Sequence, residues 1–273
     1  NELSRNSLNM TNFKDLIKFI LNALDSELNT KLYDKTIKIE DYDQSFAFNR
    51  FKQLMEYQND SIISKYFFGS KKIISKYQKC NIEKYNYKPL KYLYFKIEKD
   101  SPTDINLLIQ LYESKQKNDK GNCEYCGKKE EDFIKHKELH SLPEILIIIF
   151  DNPTNAKINS SLSVKIKNEN FYLISSITKT KDDNNFNILC KEGLKYLIFY
   201  GNEKKEFIGN INDLISYPFV LFYEKETKEI KEIKEVTEHE IYLQDSNPPS
   251  FVNKQNQMGE IDDINNNNLK NNM

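Results

Sequence analysis

An α+β fold is expected from two kinds of pattern in these 273 residues. Near the amino end, Phe13, Leu16, Ile17, Ile20, Leu21, Leu24 and Leu28 recur at helical spacing. They call for an amphipathic helix over Thr11–Leu28, with Thr11 or Asn12 as its N-cap. Further on, Ile145-Leu146-Ile147-Ile148-Ile149-Phe150 is an apolar run of six residues behind Pro143. It is too short and too rich in β-branched residues for a helix, and reads as a strand buried on both faces.

The remaining elements follow in order. Phe51 to Tyr57 predicts a short helix. A strand is expected through Ile73 and Ile74 toward Tyr77 and Cys80, and a second from Leu90 to Ile97, where residues alternate in character. Ser101-Pro102-Thr103-Asp104 predicts a helix start with Ser101 as cap, followed by a buried face of Ile105, Leu108, Ile109 and Tyr112. Lys115 to Gly121 reads as a polar loop. Leu162–Ile166 and Phe171–Ile177 read as hairpin strands, and Leu194–Tyr200 and Tyr217–Tyr223 as strands that close a sheet. Beyond Lys225 the pattern fades, and from Ser246 the chain is polar, with the run Asn265 to Asn268; disorder is expected there.

Composition excludes several functions. Net charge is −1 with 40 basic and 41 acidic residues interleaved, so no general basic field draws nucleic acid. The 7 glycines do not assemble a phosphate-binding loop. No apolar run approaches the ~18 residues of a membrane span, and no signal peptide opens the chain. A cytoplasmic or nuclear location is the expectation. The first residue is Asn and not Met, as in a processed form or a fragment.

Four cysteines suit metal ligands or buried thiols better than a disulfide framework. Cys123-Glu124-Tyr125-Cys126 has the knuckle spacing of a tetrahedral thiolate site. His136-Lys137-Glu138-Leu139-His140 is not the zincin pattern, because its glutamate sits at the third position, away from where a base is needed. A zinc-dependent nucleic-acid binder built on Cys123 and Cys126 is disfavoured by the balanced charge and the lack of a second pair.

The order of these parts carries a resemblance. Cys123-x-x-Cys126, then Ser141-Leu142-Pro143-Glu144 with its apolar strand, then Phe171-Tyr172-Leu173-Ile174 leading to a polar loop, resembles the ubiquitin-specific protease (USP) family of deubiquitinating cysteine peptidases. Asn59-Asp60-Ser61-Ile62-Ile63-Ser64-Lys65-Tyr66-Phe67-Phe68-Gly69 is similar to the family's Asn-Ser-Ile-Ile-Ser-x-x-Phe-x-Gly. Ile20-Leu21-Asn22-Ala23-Leu24 matches the family's Leu-Leu-Asp-x-Leu helix ending, and Tyr217 to Glu224 its terminal Ala-Tyr-x-Leu-Phe-Tyr strand. The likeness covers residues 11 to 224, roughly the C-terminal two-thirds of the family domain.

The resemblance implies a papain-like α+β hand. Residues 1–58 would be a thumb remnant, 59–135 fingers with an intervening helix, 136–226 the palm and 227–273 a disordered tail. It also implies a catalytic triad of thiolate, imidazole and a carboxylate or amide that orients it. Nothing in Asn1 to Asn12 resembles the family's Asn-x-Gly-Asn-x-Cys-Tyr box. At the family's histidine stands Asn185, which cannot take a thiol proton near neutral pH. Asn202 lies near the third position. The family's two Cys-x-x-Cys pairs survive as Cys123 with Cys126 and as Cys80 alone, since Tyr77 replaces the other cysteine. Either no cofactor or one structural zinc is expected.

A USP-like domain without peptidase activity is therefore the expected function, binding ubiquitin, a ubiquitinated protein or other protein partners, with neither nucleic acid nor membrane among them. The alternative is a piece of an active deubiquitinase whose nucleophile box lies upstream.

Overall fold

A computed structural model describes residues 13–30, 39–98, 101, 103–114, 117–127, 131–151, 156–179, 186–201 and 203–227. The chain divides into two units between Glu226 and Thr227. Apart from Thr227, the tail expected to be disordered lies outside the described residues.

The first helix, α1 (Phe13–Leu28), buries Ile17, Leu21 and Asp25, one turn apart. Ile20, Leu24 and Leu28, which the periodicity placed on the same face, remain 40–48% exposed. The reason is that α1 packs along the narrow i, i+4 line and not across a broad stripe. Its expected cap, Thr11 or Asn12, lies outside the described residues.

A short strand β1 (Glu40–Asp41) leads to α2 (Gln44–Gln58), which begins well before Phe51. Asp43 caps it, accepting from the Phe46 amide at 2.9 Å. The short helix α3 (Ile62–Phe67) is capped by Ser61, which accepts from the Ser64 amide at 3.0 Å.

Two long strands follow, β2 (Gly69–Tyr77) and β3 (Ile82–Leu90), paired from Gly69 opposite Leu90 to Tyr77 opposite Ile82. A Cβ on Gly69 would collide with the carbonyl of Ser141, so a glycine is required where the two backbones approach. The strand expected from Leu90 to Ile97 is two pieces: Leu90 ends β3, and β4 (Leu93–Lys96) belongs to a different sheet. Next comes α4 (Ile105–Ser114), with Ile105, Leu108 and Ile109 buried as expected. Its cap is Asp104 and not Ser101: Asp104 Oδ1 accepts from the Asn106 and Leu107 amides at 2.9 and 3.0 Å. Ser101 instead accepts from the Glu98 amide in a preceding turn.

Lys117–Gly121, expected as loop, is strand β5, held by antiparallel pairing with β6 (Glu131–Ser141). Pairing overrides local propensity here, as it commonly does in sheets. The rest is β7 (Ile145–Asp151), β8 (Ser163–Ile166), β9 (Glu169–Lys179), β10 (Phe186–Glu192), β11 (Lys195–Tyr200), β12 (Glu203–Glu206), α5 (Ile211–Leu214) and β13 (Pro218–Lys225).

These strands form two sheets, one ordered β1-β3-β2-β6-β5. The other runs β12-β11-β10-β9-β13-β7-β4, with β8 added on β9. The last strand among the described residues therefore lies inside its sheet, between β9 and β7, where β7 is flanked by antiparallel β13 and parallel β4.

Both faces of β7 are covered. Leu146, Ile148 and Phe150 join Ile105, Leu108 and Ile109 of α4 in one core. Ile147 and Ile149 join Ile17, Leu21 and Ile63 in the other. This explains an apolar run with no alternation. Among the described residues no helix is long and apolar enough to cross a membrane.

Candidate functional site: the β10 end of the eight-stranded sheet and the cysteine cluster

Asn185 and Asn202, the residues expected at two triad positions, lie outside the described residues. Their described neighbours are Phe186, the first residue of β10, and Gly201, which follows β11 with φ +57. At this end of the β10–β11 ladder Asn187 faces Tyr200, and across the β9 ladder it faces Thr178.

Three rings from distant segments meet there. Phe13 lies 5.2 Å from Phe186 edge-on and 5.1 Å from Phe219, and Phe186 lies 5.2 Å from Phe219 edge-on. Beside them Asn187 and Thr178 are buried, and Thr178 Oγ1 and the neighbouring Ser176 Oγ have no hydrogen-bond partner.

The described histidines are His136 and His140, both on β6 in the other sheet. Cys190 lies in β10, its Sγ 3.5 Å from Ser175 Oγ. No imidazole stands beside a thiol among the described residues of the eight-stranded sheet. The three phenylalanines went unnoticed in the sequence, because residues 13, 186 and 219 share no local pattern.

His136 and His140 sit on a strand, which rules out the helical geometry a zincin needs. His136 Nε2 is 3.2 Å from Glu138, whose other oxygen pairs with Lys72 at 2.6 Å. His140 stacks on Phe48 with centroids 4.6 Å apart. Burial, with Lys72 and Lys167 nearby, holds its pKa below the ordinary value.

The second constellation is metal-like. Cys80, in the turn after β2, meets Cys123 and Cys126 between β5 and β6, with all three Sγ atoms within 4.8 Å of one another. Cys80 Sγ is 3.6 Å from Cys123 Sγ. None of the three is in a disulfide. Burial and the Cys123 thiol push Cys80 up to about 11. Burial also raises Cys123, but bonds from the Cys126 backbone and the thiols of Cys126 and Cys80 bring it below its ordinary value. Three sulfurs gathered within 4.8 Å of one another fit a zinc ion with one position to fill.

Tyr77, expected from the sequence to replace a fourth cysteine, is buried with its ring centroid 5.2 Å from that of Phe133. Its hydroxyl donates to the Asn122 carbonyl at 3.2 Å. Tyr42, from the β1–α2 junction, packs in the same cluster. Burial and the Cys123 thiolate raise its pKa, while Lys84 and the Tyr125 backbone act in the opposite direction.

The model of one family, ubiquitin carboxyl-terminal hydrolase, matches residues 3–241. The chain belongs to that family. Solved structures support the ubiquitin-specific protease fold. The SAGA DUB module of Ubp8, Sgf11, Sus1 and Sgf73 bound to monoubiquitin matches with TM-score 0.54 and 19% identity, over 67% of this chain and 47% of that one. A Ubp8 module with Sgf11 lacking its ZnF matches at 0.61 and 17%, over 82% and 52%. A yeast SAGA DUB module with a substituted Sgf73 matches at 0.55 and 18%, over 78% and 50%. The chain spans about half the length of these solved chains. No curated protein matches it.

Proposed function

We propose that this USP-family domain binds ubiquitin or a ubiquitinated protein without cleaving it, its five-stranded sheet acting as fingers and its eight-stranded sheet as palm. Asn185 at the family's base position carries this reading. An amide has no titratable nitrogen near neutral pH, and loss of one triad member costs orders of magnitude in rate. A binding surface can outlast the triad, because binding energy resides in a few buried anchors away from the nucleophile. The solved relative bound to monoubiquitin supports ubiquitin as the ligand class, and the SAGA modules support other protein partners. A nuclear setting is part of this proposal. A cytoplasmic setting suits the same chemistry. Incubation with a fluorogenic ubiquitin amide and an electrophilic ubiquitin probe tests it: neither turnover above buffer nor an adduct on any cysteine is expected.

A second reading is favoured by one observation, the half-length coverage of the solved relatives. In that reading these residues are part of an active deubiquitinase whose nucleophile box lies upstream. Activity in a longer chain that keeps Asn185 would establish the second reading against the first. Association of the chain is expected in either case, since Ile20, Leu24 and Leu28 form an exposed apolar line on α1. Titration with labelled ubiquitin while light scattering follows the oligomeric state measures both; a tight-binding clean monomer contradicts the expectation of association.

A further inference from the structure

Three thiolates leave a tetrahedral structural site one donor short. The obvious replacement, Tyr77, is committed elsewhere: its hydroxyl already bonds the Asn122 carbonyl. Tyr42 differs. Its hydroxyl is buried and makes no hydrogen bond of ordinary geometry; the groups it faces are the Cys123 sulfur and the Tyr125 backbone, and its ring packs in the cluster that holds Cys80, Cys123 and Cys126. A buried hydroxyl without a full hydrogen bond is destabilising, and a cation bound beside it would take up its oxygen.

The backbone fixes Tyr42 on both sides. Asp41 pairs with Tyr85 at the edge of β3, and the Asp43 amide donates back to Asp41 Oδ1 at 2.9 Å while Asp43 caps α2. The ring is held between Tyr125, at 5.6 Å between centroids, and Lys84, whose Nζ lies 5.6 Å from the ring. Tyr125 is itself within the Cys123–Cys126 knuckle. Lys84 also pairs with Glu40 at 3.1 Å and Glu124 at 3.5 Å, so a cation stands next to where anionic ligands would gather.

We propose that the Tyr42 phenolate oxygen is the fourth ligand of a zinc site completed by Cys80, Cys123 and Cys126. Zinc takes oxygen donors as well as sulfur and nitrogen ones. The phenol and any protonated thiols release their protons to solvent on binding, and no electron transfer is involved. The site is independent of whether the domain cleaves or binds ubiquitin. Its role is to clamp the β1–α2 junction onto the tip of the five-stranded sheet.

Loading the metal-free full chain with cobalt(II), then displacing it with zinc in chelator competition, tests the assignment. Wild type should show tetrahedral d–d bands, thiolate charge transfer and a near-ultraviolet tyrosinate difference band at neutral pH. Tyr42→Phe should lose the tyrosinate band, shift the d–d bands and bind zinc about tenfold or more weakly, with the circular dichroism of the unloaded protein unchanged. Spectra and affinity untouched by Tyr42→Phe would overturn the proposal. So would wild type loading without a tyrosinate band, or failing to give tetrahedral cobalt, and these two outcomes do not depend on the variant folding.

Discussion

Ser61 donates its hydroxyl to the carboxylate of Asp25, a buried bond between residues 36 apart in sequence. The same Ser61 oxygen accepts from the Ser64 amide at the start of α3. One serine thus caps a helix and satisfies a buried carboxylate of α1, which accounts physically for the Asn-x-Ser-Ile-Ile-Ser segment.

Ser61→Ala should destabilise the fold by about 2–4 kcal/mol. The lost cap contributes about 1 kcal/mol, and the stranded carboxylate adds the larger part. Chemical denaturation measures it. A loss under about 0.5 kcal/mol, the size typical of surface substitutions, would mean that the bond contributes little.

Asn185→His alone should leave turnover of a fluorogenic ubiquitin amide at the buffer level. A base without a thiolate beside it has nothing to activate, and both described histidines already lie on the other sheet. Appreciable turnover from this single change would reveal a nucleophile among the four cysteines.

Metal content should depend on Cys123. Cys123→Ser removes the most buried ligand of the trio, at 1% exposure, and leaves too few donors for structural zinc. Elemental analysis of the purified variant should give a metal content near zero, whereas zinc retained at the wild-type level would contradict the assignment.

The His140 imidazole should titrate below the ordinary histidine value, because burial disfavours its charged form. A depressed base pKa means the unfolded chain takes up the proton first as pH falls. Its contribution to stability is therefore complete above about pH 6.5, and shrinks below that until the folded group also protonates. Proton NMR of the ring gives the pKa directly. In His140→Gln the decline in stability just below pH 6.5 should become shallower.

The sequence by itself determined what depends on near neighbours. The Cys123-x-x-Cys126 knuckle, the helix at Phe13–Leu28 and the two-faced burial of Ile145–Phe150 are local patterns whose physics acts within a few residues. The family, too, was legible in the order of short motifs, and the match over residues 3–241 bears it out.

Only the tertiary structure decided what depends on pairing at a distance. It put β13 in the middle of its sheet and not at an edge, and turned the polar Lys117–Gly121 into a strand. It split the apolar face of α1, because burial follows the surface the helix rests on and not the helix's own periodicity. It gathered Phe13, Phe186 and Phe219 at one end of β10, and Tyr42 beside three cysteines from two other segments. Such meetings leave no trace in a linear pattern, since loop closure brings together residues that share no spacing.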